Sequence, residues 1–279
     1  MAKTALTRDQ ELLLTDEQFE FIRQFVHARS GIALSAGKRD LVYGRLRHRL
    51  HAHQMSGFDE YCALLKRRPE TESRELINAI TTNLTAFFRE AHHFEFVRDK
   101  LMPAWLTSPH RPPRIRLWSA GCATGEEPYS LAITVLDALG GRPADLDILA
   151  TDIDTQVLAD AATATYAAER IKPLRPAYRR WFQPTGGGEK IRVAKEITDL
   201  IRFRQLNLSK PWPSAGPFDL IFCRNVVIYF DKETQRNLFE RLADALVPNG
   251  HLVIGHSETL FNMTDRFELI GRTIYRKRI

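Results

Sequence analysis

Residues Trp118 to Ala132 read W-S-A-G-C-A-T-G-E-E-P-Y-S-L-A. An apolar run at 115–118 enters a glycine-spaced loop that carries two carboxylates, and a helical pattern follows. A strand, a tight turn and a helix start in that order present backbone N–H groups to a ligand at the carboxyl edge of a parallel sheet. Gly121 and Gly125 are spaced G-x-x-x-G, not G-x-G-x-x-G, and Glu126-Glu127 stands where a pyrophosphate would need neutral or positive surroundings. A cationic, adenosine-bearing ligand suits this loop better. S-adenosylmethionine, with an ammonium, a sulfonium and no phosphate, meets that description.

The rest of the chain allows a large sheet with a smaller companion domain. Its 279 residues can bury one large core, or a large and a small one. The formal charge of +6 favours a polyanionic partner, which could be nucleic acid, a membrane surface or an acidic protein. No apolar run approaches the roughly 20 residues that cross a bilayer, and the start of the chain lacks a signal-peptide core, so a cytoplasmic protein is expected. The three cysteines, Cys62, Cys122 and Cys223, have no C-x-x-C spacing, so neither a disulfide framework nor a zinc site is expected.

The first hundred residues carry helical periodicity. Thr15 and Gln18 form a capping box, Phe19, Ile22 and Val26 share a face, and Gly31 supplies a stop. A second helix is predicted over 38–53, with Val42, Leu46 and Leu50 on one stripe and Lys38, Arg45 and Arg49 beside it. Further helices are predicted at 58–68 and 73–80, and the Pro-rich residues 108–113 mark the entry to a different architecture. The expected division is a helical domain with its linker over 1–90 and a second domain over 91–279.

From Arg114 strands and helices alternate: strands at 115–118, 148–151, 201–205, 218–223 and 252–255, helices at 128–139, 155–162 and 232–246. That alternation predicts an α/β fold with a mostly parallel sheet covered on both faces, and residues 267–276 read as a closing hairpin that makes an antiparallel edge. Residues 166–200 interrupt the pattern with a basic aromatic stretch, a glycine triplet and a short alternating run, which reads as an inserted helix and small β-subdomain suited to binding.

Asp152 ends the second strand, where a carboxylate can accept both ribose hydroxyls of an adenosine, while the simpler reading makes Asp154 the cap of the next helix. The fourth strand ends in C-R-N-V-V-I-Y-F at the switch point, without the D/N-P-P-Y/F tetrad common in nucleic-acid amino methyltransferases. That absence argues against DNA or RNA as substrate. Thr85 and Glu90 can be read as parts of a helix start, with Arg89 as a surface charge.

Taken together, T-N-L-T-A-F-F-R-E at 82–90, the glycine loop, A-T-D-I-D at 150–154, F-D-L-I-F-C-R-N-V-V-I-Y-F-D at 218–231 and G-H-S-E-T-L at 255–260 resemble the chemotaxis receptor methyltransferases. These are S-adenosylmethionine-dependent protein-glutamate O-methyltransferases, and the resemblance runs in order over essentially the whole chain. It implies a class I methyltransferase sheet and S-adenosylhomocysteine as product. By motif position it implies that Asn83, Thr85 and Arg89 reach the cofactor, with Arg89 beside the reacting centre. It implies Glu127 for the methionyl ammonium, Asp152 for the ribose, Asn207 and Leu208 flanking the adenine, Cys223 and Arg224 lining the cofactor, and Tyr229 near the transferred methyl. Either of Glu126 and Glu127 could face the ligand. The family often has Ala where this chain has Gly121, an exchange expected to be structurally neutral.

The implied partner is the helical cytoplasmic domain of chemoreceptors, met by the basic helix through Lys38, Arg45 and Arg49, with a receptor C-terminal peptide at the β-subdomain as a second contact. Competing readings are a nicotinamide dehydrogenase, disfavoured by Glu126-Glu127, a methyltransferase of a surface-sensing pathway, and a non-catalytic adaptor that keeps the fold.

Overall fold

A computed structural model describes residues 13–107, 114–142, 144–213 and 216–279. The Pro-rich 108–113 stretch lies outside the described residues. The chain divides into two compact units between Thr81 and Thr82, ahead of the expected boundary at 90/91. Among the described residues no helix is long and apolar enough to cross a membrane.

The first unit is all-helical: α1 (Asp16–Ser30), α2 (Arg39–Ala52), α3 (Phe58–Arg67) and α4 (Pro69–Ile80). The Thr15/Gln18 capping box starts α1, and Gly31 at φ 76° stops it. Helix α4 begins earlier than the predicted 73, because Pro69 occupies its first turn, where a missing N–H costs nothing. Ile22, Val26, Leu46, Leu50, Tyr61, Leu65 and Leu76 are completely buried between the helices.

The basic stripe on α2 needs correction as a docking face. Arg45 Nη1 donates to the carbonyls of Ile80 and Thr81, each at 2.5 Å, and so holds the C-terminal end of α4. Arg49 grips Glu72 through Nε at 3.0 Å and Nη2 at 2.8 Å, and the Tyr61 hydroxyl donates to the same carboxylate at 2.9 Å. Glu72 is only 5% exposed, and a carboxylate so buried needs those partners. Of the three stripe residues only Lys38 is exposed. Arg49→Ala is expected to lower the unfolding free energy by about 2–4 kcal/mol, because Glu72 loses its cation. Urea denaturation of the full chain checks this, and a loss below about 0.5 kcal/mol would make Arg49 an ordinary surface charge.

The second unit begins with the segment 82–90 and α5 (His92–Phe96), a π turn (Val97–Leu101) and α6 (Met102–Thr107). Then come β1 (Arg114–Ala120), α7 (Glu126–Leu139), β2 (Asp145–Asp152) and α8 (Thr155–Thr163). An insertion follows: β3 (Thr165–Ala167), α9 (Pro176–Arg179), β4 (Phe182–Thr185), β5 (Lys190–Val193) and α10 (Lys195–Thr198). The chain closes with β6 (Ile201–Gln205), β7 (Phe218–Cys223), α11 (Lys232–Ala245), β8 (Leu246–Ile254), β9 (Phe267–Gly271) and β10 (Ile274–Lys277).

The main sheet has seven strands in the order β6-β2-β1-β7-β8-β10-β9. The strands from β6 to β8 are parallel, and β10 runs antiparallel to both β8 and β9. Strand side chains alternate between faces, so Leu117 joins the core under α7 while its neighbour Trp118 joins the core under α11. Strand order reverses at β1, which places the carboxyl ends of β1 and β7 side by side.

The insertion forms a separate three-stranded antiparallel sheet, β3-β5-β4. Its aromatic side hosts the segment after the first unit. Phe87 meets Tyr166 and Phe182 edge-on at 4.9 and 5.0 Å, and Phe88 stacks on Tyr178 at 4.4 Å. That packing places residues 82–90 in the unit with the sheet, whereas the expected helical domain and linker run to 90.

Candidate active site

The loop after β1 turns through Gly121 at φ 91°, Ala123 at φ 47° and Gly125 at φ 95°. The carbonyl of Thr151 accepts the N–H groups of Gly121 and Cys122 at 2.8 and 2.9 Å. Asp152 accepts the Ala123 N–H at 2.9 Å and that of Asp154 at 3.0 Å. Burial pushes the Asp152 carboxyl above the usual carboxylate range, partly offset by those N–H groups. Gly121 suits this close turn. A Cβ would lie 2.2 Å from Val226 Cγ2, on a backbone that side chains avoid.

The two carboxylates of the loop separate. Glu126 is fully buried and turns to the insertion side, accepting from the Thr124 hydroxyl at 2.6 Å and from Arg170 Nη1 at 2.5 Å. Glu127 accepts from Ser119 Oγ at 2.7 Å and from Arg224 Nη1 at 3.0 Å. Burial raises the Glu127 carboxyl even against Arg224. An anion with that residual cost is suited to a further cation.

Arg224 joins this acid to the segment before α5. Its Nη2 donates to the Arg89 carbonyl at 2.5 Å, and its guanidinium lies over the rings of Phe94 and Phe222 at 5.7 and 5.6 Å. Its Nε is buried and has no hydrogen-bond partner among the described residues. Arg89 Nη1 donates to the Leu84 carbonyl at 2.7 Å. Asn83 donates to Asp154 at 2.8 Å, and Asp154 also accepts the N–H groups of Gln156 and Val157, so it caps α8. The Thr85 carbonyl accepts from Arg170 at 3.3 Å.

Other expected contacts differ in kind. Cys223 is fully buried and Leu208 is 6% exposed, both within the core under α11. Either can offer a ligand only its backbone. Asn207 lies two positions past Gln205, the β6 partner of Asp152, and its Oδ1 accepts from the N–H and hydroxyl of Ser209 at 2.9 and 2.8 Å. Tyr229 is half-buried in a 3-10 turn (Val227–Tyr229).

That turn depends on a residue to which no role was attached. The buried Glu258 carboxylate accepts the N–H groups of Asn225, Val226, Val227 and Gly255 at 2.6–2.9 Å, with Ile228 at 3.4 Å. Burial still raises its carboxyl. The G-H-S-E-T-L motif contains Glu258 and the donor Gly255, but the other four donors come from a loop some thirty positions away, which sequence spacing does not reveal. Arg170, 44 positions from Glu126, is hidden for the same reason, while Ser119 and Thr124 lie close to their partners but in a polar loop that carries no pattern for such pairs.

The description "CheR methyltransferase, SAM binding domain" matches residues 83–276, and "CheR methyltransferase, all-alpha domain" matches residues 17–81. The chain belongs to the CheR methyltransferase family. Their junction coincides with the division between the two units. This family member is 43% identical over 275 residues to a chemotaxis protein methyltransferase of Salmonella typhimurium, covering 97% of this chain and 93% of the relative. It is 42% identical to the Escherichia coli chemotaxis protein methyltransferase, covering 97% and 94%, and to chemotaxis protein methyltransferase 2 of Pseudomonas aeruginosa, covering 96% and 95%.

S-adenosylmethionine is the ligand of such a domain, and the residues fit it. The glycine loop excludes side chains, and two buried carboxylates beside it favour positive charge. Gly121→Ala is expected to weaken S-adenosylmethionine binding more than about tenfold, or about 1.4 kcal/mol, by displacing Val226 and the loop. Unchanged affinity by calorimetry would remove that constraint. Glu258→Ala is expected to cost about 2–4 kcal/mol of stability, read from denaturation, because buried N–H groups lose their acceptor.

Proposed function

We propose that this CheR-family methyltransferase methylates glutamate side chains of chemoreceptors, giving glutamyl γ-methyl esters and S-adenosylhomocysteine. The observation that carries the reading is the continuous link Glu127–Arg224–Arg89, which joins the acid assigned to the cofactor ammonium to the arginine assigned to the reacting centre. The near full-length likeness to chemotaxis protein methyltransferases supports it.

Bound S-adenosylmethionine supplies an electrophilic methyl on a sulfonium. A glutamate with an ordinary pKa near 4.3 is already ionised at neutral pH, so the protein needs no general base. Its task is orientation in a partly dehydrated setting. Arg89 uses one nitrogen on the Leu84 carbonyl, and its remaining donors can hold an incoming carboxylate in a fixed plane. Strong pairing before reaction would gain no rate, so Arg89 orients more than it activates.

Glu127 takes the methionyl ammonium, and Asp152 takes the ribose while bracing Ala123. Asn83 and Thr85 border the cofactor from the segment before α5, Asn207 and the Leu208 backbone flank the adenine, and the Cys223 backbone with Arg224 lines the end of β7. Tyr229, held by the cradle at Glu258, stands near the transferred methyl. Of the basic stripe, Lys38 remains for an acidic receptor helix, and an edge of the β3-β5-β4 sheet can take a receptor C-terminal peptide as an added strand.

The deciding experiment is transfer of radiolabelled methyl from S-adenosylmethionine to receptor-containing membranes, with alkaline release of methanol as readout. Base-labile label on receptor is expected; cofactor binding without label would favour a non-catalytic adaptor. Arg89→Ala should abolish most transfer with cofactor affinity changed by less than about tenfold, and Asp152→Ala should act on affinity. Retained transfer at saturating cofactor in Arg89→Ala would contradict the orienting role.

A further inference from the structure

Just beyond Arg89, the residues Glu90, His92 and His93 bring ligand atoms within 4.8 Å of one another. Among the described residues, Glu90 Oε2, His92 Nε2 and His93 Nδ1 are all buried without a hydrogen-bond partner. His93 is completely buried and the Glu90 side chain is 12% exposed. Unpartnered polar atoms at this depth are costly, and three converging in four residues of chain require a common explanation.

The contacts of the cluster narrow that explanation. His93 Nε2 lies 2.9 Å from the Thr273 hydroxyl, and its other nitrogen, Nδ1, faces Glu90 Oε2 at 3.7 Å, too far for a hydrogen bond. The other oxygen of Glu90 meets His256 at 3.1 Å and Arg224 at 3.5 Å. Nδ1 and Oε2 thus face each other across a gap, neither with a hydrogen-bond partner among the described residues.

We propose that Glu90, His92 and His93 bind a divalent transition-metal ion of the zinc class. An ion about 2.1 Å from each of Nδ1 and Oε2 would span their 3.7 Å separation at roughly 120°, close to tetrahedral. Two imidazoles and one carboxylate are a zinc-type donor set. The supporting contacts also suit it: the second nitrogen of His93 is bound to Thr273, and the second oxygen of Glu90 to His256 at 3.1 Å and Arg224 at 3.5 Å. Glu90 and Glu127 together outnumber the one guanidinium between them, so the cluster retains room for positive charge. The expectation of no zinc site rested on cysteine spacing, which does not bear on a site of this composition.

The ion would brace a strained turn. Phe88 at φ 54° and Glu90 at φ 58° flank Arg89, and neither is glycine. Fixing Glu90 to the start of α5 would hold the backbone that aims the arginine. This metal site stands independently of which substrate the enzyme methylates.

The test uses the full chain, stripped with a chelator and then titrated with Zn²⁺ or Co²⁺ by calorimetry and visible absorption. About one ion per chain is expected, with Glu90→Gln and His92→Gln each weakening binding more than about tenfold while circular dichroism is unchanged. His93→Gln should act likewise, but it lies in the core and can fail to fold, so the other two variants decide. Absence of stoichiometric binding would overturn the proposal, since a bridging water would then satisfy the three atoms. Binding of equal strength in Glu90→Gln and His92→Gln would also overturn it, by placing the ion elsewhere.

Discussion

The carboxyl edge of the sheet is built on the requirement that buried backbone N–H groups find acceptors. Two turns there bend through left-handed backbone, at Gly121 to Gly125 and at Asn225, and each relies on a side-chain carboxylate for donors that backbone carbonyls do not take. Asp152 serves the first and Glu258 the second. Each is a desolvated carboxylate whose cost is partly offset by the N–H groups it collects. The site is therefore rigid in its backbone and short of positive charge, which is the setting a sulfonium ligand needs.

The inserted β-subdomain belongs to the same construction. Arg170 binds Glu126 at the start of α7 and the Thr85 carbonyl, and the Tyr166 hydroxyl donates to the Thr124 carbonyl at 2.6 Å. Phe87 and Phe88 lock the segment carrying Arg89 against the same insertion. A ligand on the insertion would thus act on elements that also shape the glycine loop, through contacts already packed.

Arginines illustrate how tertiary structure redistributes charge. The net basic charge invites a docking face on α2, yet Arg45 caps α4 and Arg49 neutralises Glu72. Arg224, named for the cofactor, also holds Glu127 and the Arg89 carbonyl in place. In each case the guanidinium supplies several directed donors to buried acceptors, a role invisible to a count of surface charge.

Local patterns were sufficient for the architecture. The strand, glycine loop and helix at 115–139, the alternation that followed, the closing hairpin and the capping box at Thr15 all rest on periodicity and turn chemistry, which act over a few residues. The helix through 92–107 escaped notice because its apolar positions run through a π turn. Motif order along the whole chain likewise identified the family and the candidate cofactor residues. What only the tertiary structure decided were pairings across long sequence distances: Glu258 with the turn after β7, Arg170 with Glu126, Thr273 with His93, and the close approach of Val226 to Gly121. The chemistry of a buried polar atom is set by what faces it across the fold, and sequence spacing carries no record of that neighbour.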